Sequence, residues 1–202
     1  MAGKTRKFTQ RMSAEERRAL ILQNAEPLFA RLGFRRTTTA SIASAAGVTE
    51  PILYRHFQGK LDLFHTLLQK ISLKAMQEWE TMLKGVENPM EKLVLIAQSF
   101  PVIGRKFEDD FRVMLAALTE LDDPVTKKIL RRHYETYAGF IADILGDLPP
   151  FKASGLDPGN TAWHLVHLAV GYALMDPVDI PQTKKPEYVQ HAVRFLGQIF
   201  GT

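Results

Sequence analysis

The sequence contains no cysteine. Disulfide staples, thiol nucleophiles and Cys-ligated zinc or iron–sulfur centres are thereby excluded. Long apolar runs are missing too. The longest, around Leu165–Met175, is interrupted by His167 and falls short of the ~20 residues of a membrane helix. There is no Gly-rich phosphate loop, no His-Glu-x-x-His and no Gly-x-Ser-x-Gly turn. His164 and His167 stand one turn apart, but the paired Glu-x-x-His motifs of a di-iron bundle are absent. No catalytic residue, cofactor or metal site is expected, and a metal-binding helical enzyme is the weakest alternative. The basic opening, MAGKTRKFTQRM, has none of the apolar core of a secretory signal. The expected location is the cytoplasm, with no membrane partner.

What is present is the composition of an ordinary globular chain. The 202 residues are 46% hydrophobic and 24% charged, with a net charge of +4. The charge is unevenly placed. Residues 1–60 hold eleven Lys/Arg against four Asp/Glu, a net +7, and the remainder holds 15 against 18, a net −3. A basic head that meets a polyanion, joined to a body with a different task, fits this asymmetry.

The apolar pattern is helical nearly throughout, without strand alternation or hairpin signals. Ser13-Ala14-Glu15-Glu16 reads as a capping box. The helix that follows is expected to kink at Pro27 and to stop at Gly33. A short second helix starts after Thr38 and ends at Gly47, and a third starts at Thr49 with Pro51 in its first turn. A long fourth helix runs from Lys60 to Leu83, with Gly85 beyond it. Further helices are expected near 89–104, 108–121, 124–146, 158–175 and 186–200. The segments Gly146–Pro158 and Pro177–Pro186 hold six of the eleven prolines and read as loops.

Residues 38–57 carry the strongest signal: two short helices joined by Ala46-Gly47-Val48-Thr49. This is a helix-turn-helix, whose second helix enters the DNA major groove. Ala43 and Ala46 allow close approach, Val48 plugs the angle, and Leu53 and Phe57 anchor the second helix against Ile42 and Phe34. At 100° per residue, Pro51, Ile52, Tyr54 and Arg55 then face outward or flank the core. An outward Ile and Tyr beside an Arg suit thymine methyls and phosphates.

The stretch from Gly33-Phe34 through Thr37-Thr38, Ile42-Ala43, Ala46-Gly47-Val48-Thr49, Leu53-Tyr54, His56-Phe57 and Lys60 to Leu63-Phe64 closely resembles the TetR-type bacterial transcription regulators. The likeness covers roughly residues 14–70. It implies an all-α chain of about nine helices: a basic arm (1–12), a three-helix DNA-binding domain (13–59) and a helical ligand-binding and dimerisation domain (60–202). It further implies a homodimer that binds a palindromic operator in double-stranded DNA, most often as a repressor, and releases it when a small-molecule effector binds the body. A non-specific DNA-binding protein is the alternative.

By position, the resemblance gives Thr39 to a phosphate, with Thr38 as its helix cap. Thr49, Glu50, Pro51 and Ile52 stand where base edges are read. Tyr54 and His56 match phosphate-holding positions, although a half-buried, hydrogen-bonded His56 is an equally physical reading. Arg55 reads a guanine or holds the backbone. Lys60, at the positive end of the fourth helix, makes a phosphate clamp. Ala40 is shorter than its counterparts, so readout leans on the third helix. Lys4, Arg6, Lys7 and Arg11 either follow the minor groove or form a solvated tail.

In the body, Phe100, Phe107, Phe111, Met114, Tyr137, Phe140, Trp163, His164 and His167 are the candidates for an apolar or aromatic effector with a few polar anchors. Ala162, Ala169, Gly171 and Ala173 allow close helix packing. With Val189, Ala192, Val193, Leu196, Ile199 and Phe200 of the last helix, they suggest the dimer contact.

Overall fold

A computed structural model describes residues 12–106, 108–183 and the single positions 185, 187, 188, 190, 191 and 194. Phe107 and most of the expected last helix, including Val189, Ala192, Val193, Leu196, Ile199 and Phe200, lie outside the described residues, as does the arm up to Arg11. Among the described residues there are helices and turns and no strand.

The first helix, α1 (Ala14–Arg36), starts on the expected box: Glu16 N–H donates to Ser13 Oγ at 3.1 Å, and Ser13 N–H donates to Glu16 Oε2 at 2.7 Å. Its backbone stays helical through Pro27, and the break is at Gly33, with φ 72° and ψ 174°. Only glycine adopts that combination without strain. The buried Thr37 fastens the bend by donating from Oγ1 to Gly33 O at 2.8 Å and to Leu28 O at 3.2 Å.

Helix α2 (Thr39–Ala45) is capped by Thr38 and Ser41 reciprocally, at 3.1 and 3.2 Å. Gly47 turns the chain at φ +64° into α3 (Glu50–Tyr54). Thr49 occupies the N-cap position of α3 but makes no side-chain cap hydrogen bond. Asp62 steadies the start of α4 (Lys60–Met82), accepting from Gln58 N–H at 2.9 Å.

The body continues with α5 (Pro89–Lys106), α6 (Glu108–Ala117), a 3-10 turn at Leu118–Glu120 and α7 (Pro124–Gly146). The expected loop after Gly146 contains a short helix, α8 (Pro149–Ser154). Its prolines sit in the first turn, where no N–H is needed. Helix α9 (Pro158–Met175) runs into a second 3-10 turn at Asp176–Val178.

Two apolar clusters hold these elements. One joins Ile21, Phe29, Ile42, Leu53, Phe57, Phe64 and Leu67 to Ile71, and extends to Val113, Met114 and Ala117 of α6 and Leu130 of α7. The other gathers Trp79, Ile96, Ile141, Leu145, Phe151, Ala162 and Val166. The division runs across α4, between Ile71 and Trp79, well beyond residue 59.

Candidate DNA-binding face and body cavity

Helix α3 is seated by Leu53 (0% exposed) and Phe57 (2% exposed), which pack with Ile42 and the half-buried Phe34 and Val48. Arg18 of α1 lies with its guanidinium 4.6 Å from the Phe57 ring centroid and donates to Thr66 of α4 at 3.2 Å. With these anchors fixed, Pro51, Tyr54 and Arg55 are exposed, and Ile52 and His56 are half-buried. Thr38 and Thr49 are exposed beside them. The outward set expected of α3 is therefore brought onto one surface.

Four of the candidate residues, Thr39, Glu50, Tyr54 and Lys60, are engaged within the chain. Thr39 Oγ1 donates to Glu50 Oε1 at 2.6 Å and lies 3.2 Å from the Tyr54 hydroxyl. This polar seam ties the start of α2 to α3, so Glu50 and Thr39 hold each other in place. Lys60 is turned inward. Its Nζ donates to Phe34 O at 2.9 Å and to Arg35 O at 3.4 Å, and sits 4.2 Å from the Phe34 ring centroid. It closes the carbonyl end of α1, where partial negative charge collects. That role replaces the open clamp expected from its position in the sequence.

The head is linked to the body by ion pairs and caps as well as by core. Arg35 Nε meets Glu120 Oε1 at 3.2 Å. His65 Nε2 meets Asp123 Oδ2 at 2.7 Å and Thr126 Oγ1 at 3.1 Å. Asp123 caps α7 by accepting from Thr126 N–H at 2.6 Å, and that hydrogen bond holds its carboxyl below the usual range.

In the body, α4, α6, α7 and α9 enclose a partly open cavity of about 150 Å³. Ile71, Lys74, Ala75 and Trp79 line it from α4, and Asp110, Phe111 and Met114 from α6. His133, Tyr134, Tyr137 and Ile141 line it from α7, and Val166, Ala169, Val170 and Ala173 from α9. Phe111, Met114 and Tyr137 are thus where the sequence places them. Four other candidates are not. Phe140 packs on Trp79, with centroids 5.8 Å apart, and Trp163 faces His167 at 5.8 Å. His164 and His167 are exposed. For the three on α9 the cause is that helix's phase, which turns Ala162, Val166 and Ala169 inward and carries 163, 164 and 167 to other faces. The Phe100 side chain lies outside the described residues, with Phe107.

The small residues expected at the dimer contact are likewise redistributed. Ala162 is buried, and Ala169 and Ala173 line the cavity, whereas Gly171 is exposed. The outer stripe of α9 consists of His164, His167, Leu168, Gly171, Leu174 and Met175, with Leu168 63% exposed.

Sequence reasoning missed His133, Tyr134, Trp79, Lys74 and Asp110. Ile71, Lys74, Ala75 and Trp79 do follow one helical face, and that phase is the signal that could have found them. His133 is buried, and burial lowers its pKa to about 4; Nδ1 lies 3.0 Å from Ser72 Oγ. Burial pushes the Tyr137 hydroxyl well above its ordinary range, with the nearby charges of Tyr134 and Asp110 adding to it. Asp110 is 6% exposed and accepts from Lys74 Nζ at 2.7 Å.

Residues 21–67 match the family model described as "Bacterial regulatory proteins, tetR family". That segment is similar to the DNA-binding head of tetR-type regulators. Over 58 residues the chain is 45% identical to the "HTH-type transcriptional regulator TtgR" of Pseudomonas putida. That match spans 29% of this chain and 28% of the relative's own length. The likeness in fold extends over the body. A "putative transcriptional regulator from Pseudomonas aeruginosa PAO1" superposes with a TM-score of 0.81 at 18% identity, covering 95% of this chain and 93% of that one. Another, from Saccharomonospora viridis in complex with choline, gives a TM-score of 0.74 at 23% identity, covering 93% and 96%. No described helix is long and apolar enough to cross a membrane.

Proposed function

We propose that the chain is a homodimeric, ligand-responsive transcriptional regulator that represses by binding a palindromic operator. Two copies of α3 enter successive major grooves about 34–36 Å apart. In this reading Ile52 and Arg55 meet base edges, and Tyr54 and Thr38 meet phosphates. Thr39 and Glu50 set the angle between α2 and α3 through their own hydrogen bond. The observation that carries the reading is a tetR-type helix-turn-helix whose half-buried Ile52 and exposed Tyr54 and Arg55 sit over the buried Leu53, Phe57 and Ile42.

The stripe Leu168–Gly171–Leu174–Met175 on α9 is more apolar surface than a solvated helix leaves open, and supports a second copy as its cover. The cavity supports an effector, and its size limits that effector to about one ring. Ile71 and Met114 line the cavity and also belong to the core that seats α1–α3. A ligand wedged there acts on the packing under the head directly. Release follows when the ligand binds the DNA-incompetent arrangement more tightly, with coupling of ~1–3 kcal/mol.

Selection from random duplex DNA tests the reading. The expected result is a palindrome bound by a dimer, with log affinity falling against log salt at a slope of about −7 for roughly eight neutralised phosphates. Binding with no sequence preference would instead establish the non-specific alternative.

A further inference from the structure

The polar end of the cavity has an unusual charge count. Asp110 is buried, and Lys74 takes its Oδ2, yet its buried Oδ1 has no hydrogen-bond partner among the described residues. Glu26 of α1 lies against Asp110, and burial, followed by the charge of Asp110, raises its pKa. Two carboxyl groups therefore meet one ammonium. Lys70, exposed on α4, acts on Glu26 more weakly than Lys74 does. From α7 the facing groups are His133, neutral at pH 7, and the hydroxyls of Tyr134 and Tyr137. The cluster has room for one more positive charge.

The rest of the wall suits the face of a cation or a ring. Trp79, Phe111, Tyr134 and Tyr137 line the cavity, and aromatic faces attract an ammonium group through their quadrupoles. The volume of about 150 Å³ is the size that accepts a single benzene ring.

We propose that the effector is a small aralkyl amine whose ammonium group donates to Asp110 Oδ1 while its ring lies among Trp79, Phe111 and Tyr137. The proposal deepens the effector reading above and rests on it. On binding, the ligand's ammonium joins that of Lys74 opposite the two carboxyl groups. Since Glu26 lies on α1, the added charge changes the contact between the head and α6 as the ligand arrives. The choline complex of the structural neighbour concerns that protein. Here the inference rests on Asp110, Glu26 and the aromatic wall, and an N–H donor is required.

The test is calorimetric titration of the full chain at pH 7 with 2-phenylethylamine, 2-phenylethanol, 3-phenylpropanoate and tetraethylammonium. The amine is expected to bind at least tenfold more tightly than the alcohol and the propanoate. Tetraethylammonium, a cation without an N–H, is expected to fall below the amine. Glu26→Gln should still prefer the amine, because Asp110 Oδ1 remains in place. Asp110→Asn should remove the preference for amine over alcohol; its folding is checked by urea unfolding. Equal binding of the alcohol, preference for the propanoate, or no binding by any probe would overturn the proposal, and each result comes from the wild-type chain. Operator selection is measured separately without ligand, so failure here with a palindrome still selected leaves the regulator reading standing.

Discussion

Acidification should destabilise this protein through one buried imidazole. His133 is 7% exposed, packed edge-on against Tyr137 at 4.4 Å, and its pKa is lowered to about 4 by burial. In the unfolded chain it takes a proton near its ordinary 6.5. The folded state resists that proton, so this contribution to stability is complete above about pH 6.5 and is lost as pH falls towards 4. The whole gap corresponds to about 3 kcal/mol, and about 2 kcal/mol of it falls between pH 7 and pH 5. That is a large share of a typical 5–15 kcal/mol. Glu26 acts with the opposite sign. Its raised pKa adds stability when protonated, which is lost as pH rises above the ordinary 4.5, so it softens the acid loss. Asp123 and Glu16, with lowered values, lose their contributions only below the ordinary carboxylate range. Urea unfolding at pH 7, 6 and 5, at one protein concentration, is the assay. The wild-type midpoint should fall by ~1 M for a slope of ~2 kcal/mol/M. His133→Asn retains a side-chain hydrogen-bonding group for Ser72 and should be less stable at pH 7 but distinctly flatter with pH. Equal pH slopes in the two proteins would refute the assignment. Glu26→Gln should steepen the wild-type slope.

Lys60→Ala should lower stability by ~1–2 kcal/mol, because it opens the carbonyl end of α1 and removes a cation from the Phe34 ring; operator and random DNA should weaken together in filter binding. Glu50→Ala frees Thr39 and should alter operator affinity with little change in the selected sequence, whereas Ile52→Ala should relax the sequence preference by ~1–3 kcal/mol. Gly47→Ala should cost ~1–2 kcal/mol in thermal unfolding; its Cβ meets no atom within 4 Å, so the cost would come from the left-handed backbone alone.

The head is legible in the sequence because its determinants are local. Ser13 and Glu16 cap across one turn, Gly33 and Gly47 mark left-handed backbone, and Leu53 and Phe57 lie one turn apart. The body is harder to read because its cavity depends on how four helices are rotated against one another. A rotation of one residue in α9 separates Val166, which lines the cavity, from His167, which does not. Lys60 shows the limit within the head. Its partners are carbonyls 25 and 26 residues earlier, and no spacing rule announces them. Asp110 and Glu26 meet across an even longer separation. The prolines at 149 and 150 mislead for another reason: residues that end a helix from inside also begin one well.

The way the first apolar cluster crosses into α4 and α6 sets where this protein can be cut and rejoined. Phe64 of α4 lies 4.9 Å from both Phe29 and Phe34 in ring-centroid distance, and Val113 and Ala117 of α6 are wholly buried with them. A fragment ending at Gly59 would leave the floor of the helix-turn-helix in water. A chimera that grafts this helix-turn-helix head onto a foreign body must therefore carry the first half of α4, through Ile71, and a matched face of α6. The usable crossover lies between Ile71 and Trp79, where one core gives way to the other.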